Sequence, residues 1–253
     1  MIIGIDLDNT IINYDQTFLK IALKKKIIFK NEIITKEKLK KKIIKKSNIE
    51  KWKEIQGIAY GKNIFQSSIM NFFLDFLIIC KLRNYKIYII SHKTKYGHYD
   101  NKTLLREQAT KFLLSKNIIN SYLSPINRSH IFFCDTLEEK IIRIKYLKCD
   151  YFIDDLNKVL SHRSFPKLTK PIFLNRKSDN LNSKKGILNF NSWSKIIDHF
   201  FHDISKLEFK EIIQAKKNIK INSFRKHHGS VNSQIYKIST QDQIKFSLKI
   251  YPK

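Results

Sequence analysis

Met1-Ile2-Ile3-Gly4-Ile5-Asp6-Leu7-Asp8-Asn9-Thr10 is an apolar run that stops abruptly at an acid. A short run of this kind is the pattern of a strand buried on both faces, with its first charged side chain at the carboxyl end. Four similar runs follow. Lys86 to Ile90 leads into Ser91, Ile131 to Phe133 into Cys134 and Asp135, Tyr151 to Ile153 into Asp154 and Asp155, and Pro171 to Leu174 into Asn175. Helical patterns lie between or after them, at Phe65 to Arg83, Lys102 to Lys116, Leu137 to Leu147, Leu156 to His162 and Asn191 to His202. Strands alternating with helices predict an α/β class with a Rossmann-like parallel sheet. Ligands of such sheets bind beyond the carboxyl ends of the strands, where the polar residues just named fall.

Asp6 and Asp8 stand two apart past the first strand, so in extended chain their side chains face the same way. Two such carboxylates repel each other unless a divalent cation sits between them. Asp154 and Asp155 can complete an octahedral set of oxygen ligands for Mg²⁺ with Asp6 and Asp8. Ser91 offers a hydroxyl to phosphoryl oxygens, and Lys140, opening the helix before the Asp154 strand, offers a positive charge. Lys145 lies close by on the same helix as an alternative. The segment Ser91 to Tyr99 follows the second strand, and His92 and Lys93 are the side chains expected to recognise a substrate there.

Asp6-x-Asp8-x-Thr10, Ser91, Lys140 and Asp154-Asp155, in this order and at these strand ends, resemble the four motifs of the haloacid dehalogenase-like phosphohydrolases. The resemblance covers about residues 1–203. It implies a sheet in the order 3-2-1-4-5 and a helical cap inserted at about 14–65, where the sequence reads as three helices near 14–29, 36–46 and 50–60. Asp6 would be the nucleophile and Asp8 the general acid and base. Thr10 and Ser91 would hold the phosphoryl group, Lys140 would offset charge, and Mg²⁺ would be the cofactor. Asp8 favours phosphate monoesters, because dehalogenases lack that acid. Asn9 departs from the commoner Gly but also adopts turn conformations. The expected substrate is a small phosphorylated metabolite, with a nucleotide or a nucleic-acid end as the alternative.

The 253 residues carry a formal net charge of +27, which invites a polyanionic partner. Only 7 of the 49 basic residues are Arg, however, and Ile outnumbers Val by about twenty to one. AT-rich codons produce that bias, and base readout favours the Arg forks that are scarce here. Cys80, Cys134 and Cys149 show neither disulfide nor zinc spacing, so a reducing cytoplasm is expected. Met1 opens onto a strand pattern rather than a leader, and Asn71 to Cys80 is too short to cross a bilayer, so no membrane association is expected.

Residues 204–253 read as a basic helix, Lys206 to Lys220, and a β-hairpin, Gln234 to Ser239 with Ile244 to Tyr251, too small to form a core. Two readings stay open for it. It is a plain extension, or it resembles the opening of an aminoglycoside phosphotransferase-like kinase, with a turn at Gly229 to Ser233 and Lys249 as the strand lysine. In the second case the chain is the front part of a bifunctional phosphatase and phosphotransferase.

Overall fold

A computed structural model describes residues 1–29, 32, 34–45, 49–97, 100–176, 186–217, 219–227 and 234–250, without the side chains of 101, 206, 216, 227, 234 and 248–250. It divides into two units, Met1–Phe200 and Phe201–Lys253. Among the described residues, no helix is long and apolar enough to cross a membrane.

The first unit begins with β1 (Ile2–Ile5), a two-residue strand β2 (Ile12–Asn13), and an insert of three helices, α1 (Asp15–Lys24), α2 (Lys36–Lys45) and α3 (Ile49–Tyr60). Strand β3 (Ser68–Ile69) closes the insert by pairing antiparallel with β2. The chain continues through α4 (Phe73–Leu82), β4 (Lys86–His92), a hairpin of β5 (Tyr96–Gly97) and β6 (Asp100–Leu104), and α5 (Leu105–Ser115). After these come β7 (Ile131–Cys134), α6 (Leu137–Tyr146), β8 (Tyr151–Asp154), α7 (Asn157–Leu160), β9 (Lys170–Leu174), β10 (Leu188–Phe190) and α8 (Trp193–Phe200).

Six of these strands form one sheet in the order β10-β9-β8-β1-β4-β7, and every pair is parallel. The sheet therefore has one strand more than the five read from the sequence. The addition is β10, which is short, half-buried and beside β9 at the edge. Chain direction across the sheet reverses between β1 and β8, which is where sheets of this kind open a ligand crevice. Gly4 in β1 leaves room for its neighbours: a Cβ there would meet a Phe152 ring carbon at 2.7 Å and the Cys149 sulfur at 3.0 Å, so one of them would have to shift.

Several helices are shorter than the periodicity suggests: α1, read to about 29, ends at Lys24, and α7 and α8 are trimmed at both ends. Phe72, with φ of 66°, delays α4 until Phe73, and Phe65 to Ile69 forms a 3-10 turn and β3 instead of helix. Lys102 to Leu104 is strand because the Asp100 carboxylate accepts the backbone N–H groups of Lys102 and Thr103 at 3.1 and 3.0 Å. Such local bonds compete with helix formation.

The second unit contains α9 (Lys206–Lys217) and a three-stranded antiparallel sheet, β11 (Ile221–His227), β12 (Gln234–Thr240) and β13 (Lys245–Ile250). The expected hairpin is thus three strands, and it does form a core. Ile221, Phe224, Tyr236 and Ile238 are buried, with Phe209 and Ile213 of α9 packed against them. Ser205 and Glu208 cap α9 reciprocally, at 3.2 and 2.6 Å. The turn at Gly229 to Ser233 and the Lys249 side chain lie outside what the structure describes.

Candidate active site

The strand ends at the β1–β8 crevice carry the acidic residues. Asp6 follows β1 and is tied to β8 by its N–H, which donates to the Ile153 carbonyl at 2.9 Å. Asp154 ends β8, and Asp155 follows it. Carboxylate oxygens of Asp6, Asp154 and Asp155 lie within 4.8 Å of one another, a group that could hold a metal ion.

Lys140 enters this group from the first turn of α6. Thr136 caps that helix, its hydroxyl accepting from the Glu139 N–H at 3.1 Å, and so fixes where the turn begins. The Lys140 ammonium is buried and donates to Asp6 Oδ1 at 2.5 Å and to Asp154 Oδ2 at 2.6 Å. Lys145 is exposed, so of the two lysines on this helix Lys140 is the one in the site.

Three buried or half-buried carboxylates share this single ammonium, and the charge does not balance. Burial pushes Asp6 up to about 7; Lys140 opposes the shift and Asp154 adds to it. Burial likewise pushes Asp155 up to about 8, reinforced by Asp6 and Asp154. For Lys140, burial works against the charge, but Asp154 and Asp6 outweigh it and hold the ammonium well above its usual range. An all-oxygen donor set with excess negative charge fits a hard divalent cation such as Mg²⁺.

Asp8 lies outside that carboxylate group. Its side chain is held by Lys93, whose ammonium donates to both carboxylate oxygens at 2.9 and 2.7 Å, and by the Tyr14 hydroxyl at 2.7 Å. Burial and then Asp8 raise the Tyr14 pKa, so the phenol stays protonated and donates. Asn9, with φ of 65°, turns the chain after Asp8, a backbone state Asn tolerates better than most residues. Thr10 is fully buried, 3.4 Å from Asp6 Oδ2, and its carbonyl accepts from the Trp193 indole at 2.8 Å.

Ser91 lies near the end of β4, the strand beside β1, two residues past Ile89, which the register sets opposite Ile5. Its hydroxyl is buried and, among the described residues, has no hydrogen-bond partner. A buried hydroxyl without a partner is costly and marks a place for a ligand oxygen. His92, by contrast, is not brought into the site. It is exposed and its Nε2 pairs with the Asp135 carbonyl at 2.9 Å, because alternate residues of a strand face opposite ways. Arg106 supports this region from behind, donating to the Lys93 carbonyl at 2.8 Å and to Asp135 at 2.5 Å.

A cavity of about 700 Å³ opens from Asn9 and Asp155. Its other walls come from the insert, through Lys36, Trp52 and Tyr60, and from the ends of β9 and α7. Tyr14 and Tyr60 carry no sign of a site role in the sequence beyond the closeness of Tyr14 to the acidic motif, whereas Lys36 opens the lysine-rich stretch 36–46, which the sequence allows as a solvated helix face or as a basic rim that attracts anionic substrate. No protein-family model matches this chain, and no curated protein matches it.

Proposed function

We propose that the protein is a Mg²⁺-dependent phosphohydrolase that cleaves a phosphate monoester of a small metabolite through an aspartyl-phosphate intermediate. The observation that carries this reading is the Asp6 carboxylate, buried at the switch point with Lys140 and two further carboxylates around it. Bound there by Asp6, Asp154 and Asp155, Mg²⁺ would screen the approach of an anionic phosphate to an anionic nucleophile.

The chain's own groups supply the rest. Asp6 Oδ2 is the oxygen not taken by Lys140, and it is the atom that would attack phosphorus. The vacant hydroxyl of Ser91 would donate to a phosphoryl oxygen as charge builds, and the Thr10 hydroxyl, which donates to Asp6 Oδ2 at 3.4 Å, would turn from that oxygen to another of them. Asp8, which accepts from Lys93 and Tyr14 here, would first have to take up a proton and release a bond from Lys93; it would then give that proton to the leaving oxygen and take one back from the attacking water. The acid thus stands apart from the metal-binding carboxylates. The helical insert would act as a cap that keeps bulk water from the phosphoenzyme.

Release of phosphate from an aryl phosphate by the full chain is the test. Activity is expected to need Mg²⁺ and to disappear in Asp6→Asn. Unchanged turnover in that variant would overturn the mechanism, and tight single-stranded DNA binding that blocks turnover would favour a nucleic-acid end as substrate.

A further inference from the structure

Among the described residues, Lys36 is the cation of the cavity wall that is partly buried and yet has no ion pair; Lys40 and Lys158, also without one, are exposed. Lys140 is matched by Asp6 and Asp154, Lys93 by Asp8, and Arg176 by Asp15. Lys36, the first residue of α2, lines the same cavity and is only partly exposed. Among the described residues it makes no contact ion pair. Its ammonium donates to the side-chain carbonyl of Asn9 and sits 4.5 Å from the centre of the Phe18 ring. A neutral oxygen and a ring face are weak partners for a partly desolvated charge. Asp15, Asp155, Asp8 and Glu37 act on it only through space.

The position of Lys36 says what would complete it. It is carried by the insert and reaches Asn9, the residue next to Asp8, whose proposed role is at the leaving oxygen. A ligand whose phosphate lay between Asp6 and Ser91 would therefore present its leaving group, not its phosphate, to Lys36. The cavity of about 700 Å³ has room for a leaving group of metabolite size. Lys40 and Lys158 line the same cavity.

We propose that Lys36 is a specificity-determining residue, selecting phosphate monoesters whose leaving group carries a second anionic group, a carboxylate or a phosphate. This deepens the phosphohydrolase reading and rests on it. The lysine would hold the second anion by a charge-assisted hydrogen bond, giving up its bond to Asn9.

Three short substrates separate the possibilities: 2-hydroxyethyl phosphate, carboxymethyl phosphate and ethane-1,2-diol bisphosphate, assayed with the full chain and Mg²⁺ for phosphate release. The wild-type chain is expected to favour at least one anionic substrate over the neutral one by ~tenfold or more in kcat/KM, and which one identifies the second anion. Lys36→Met should shrink that ratio by ~tenfold, Lys36→Arg should retain most of it, and Lys111→Met, at an exposed helix position, should leave it unchanged.

A wild-type ratio near one, with the neutral substrate turned over, would overturn this proposal alone. So would an equal loss on all three substrates in Lys36→Met, which would place the lysine on the scissile phosphate. No release from any of them would overturn the phosphohydrolase reading and this inference with it. The wild-type ratio needs no variant, so a value near one overturns the proposal even if a substitution impairs folding.

Discussion

The Lys140 ammonium lies 2.5 Å from Oδ1 of Asp6, buried, and the same nitrogen reaches Asp154 at 2.6 Å. One cation from a helix thereby ties together the ends of two neighbouring strands that are far apart in sequence. Removing it would leave two buried carboxylates without compensation, a situation that costs about 3–5 kcal/mol. Lys140→Met is therefore expected to lower unfolding stability by roughly that amount near pH 8 in urea titrations without metal. The loss should shrink at pH 5.5, where protons can neutralise the carboxylates.

Asp6→Asn should do the reverse. It removes a charge that burial and Asp154 both oppose, while an amide oxygen can still accept from Lys140. Turnover is expected to vanish while the metal-free melting temperature stays level or rises by a few degrees, a trade common at catalytic sites. A clear drop in melting temperature would show that the ionised carboxylate is structural.

The raised values for Asp6 and Asp155, about 7 and about 8, fix a pH dependence. Each group binds its proton more tightly in the folded chain than in the unfolded one. Its contribution to stability is full below the unfolded carboxylate range and is lost as pH rises through about 7 to 8. Metal-free protein should thus melt at a lower temperature at pH 8.5 than at pH 6. Mg²⁺ competes with those protons, so added Mg²⁺ should raise the melting temperature more at pH 8.5 than at pH 6. Thermal scans at both pH values with and without Mg²⁺ check the two slopes together.

The parts of the molecule that were legible in the sequence are those where local pattern and burial agree. Runs such as Met1 to Ile5 and Tyr151 to Ile153 are apolar on both faces and end at an acid, so their strands and the acids at their ends could be read together. Strand β11 could not, because its apolar residues Ile221 and Phe224 are three apart and a register irregularity between Ile221 and Ser223 breaks the alternation. The β5–β6 hairpin is polar and set by Asp100 bonding, not by periodicity. Lys93 is expected from the sequence to contact substrate, but its pairing with Asp8 joins two segments 85 residues apart and could not be read there. Lys36 has no signal of its own within a lysine-rich helix; only the fold distinguishes it from its neighbours.

Gly4→Ala tests the packing at β1. The new methyl would collide with the Phe152 ring and the Cys149 sulfur, and both are buried in the core under the sheet. Overpacking of this kind costs about 1–3 kcal/mol. Urea unfolding should show that loss, and Cys149→Ala in the same chain should recover part of it by making room. Recovery is expected because Cys149 is one of the two side chains in the way.

The last expectation concerns where the chain can be cut. Every residue of the candidate site lies in the first unit, and the second unit has its own core around Phe224 and Tyr236. Helix α8 is different: the Trp193 indole donates to the Thr10 carbonyl beside the acidic motif, and its ring packs within 4.8 Å of Phe73 and 5.0 Å of Phe76, measured between ring centres. A chain ending after Asp203 keeps all of this. It should retain Mg²⁺-dependent phosphate release within a few-fold of the full chain. A chain ending after Phe190 loses the helix and leaves Phe73, Phe76 and the Thr10 carbonyl uncovered. Losing a fully buried Trp alone costs about 3–5 kcal/mol, a large share of a domain's stability. That chain is expected to be insoluble or to lack a cooperative melt. Comparable activity from the two truncated chains would show that α8 does not support the site, and inactivity of both would show that the second unit does.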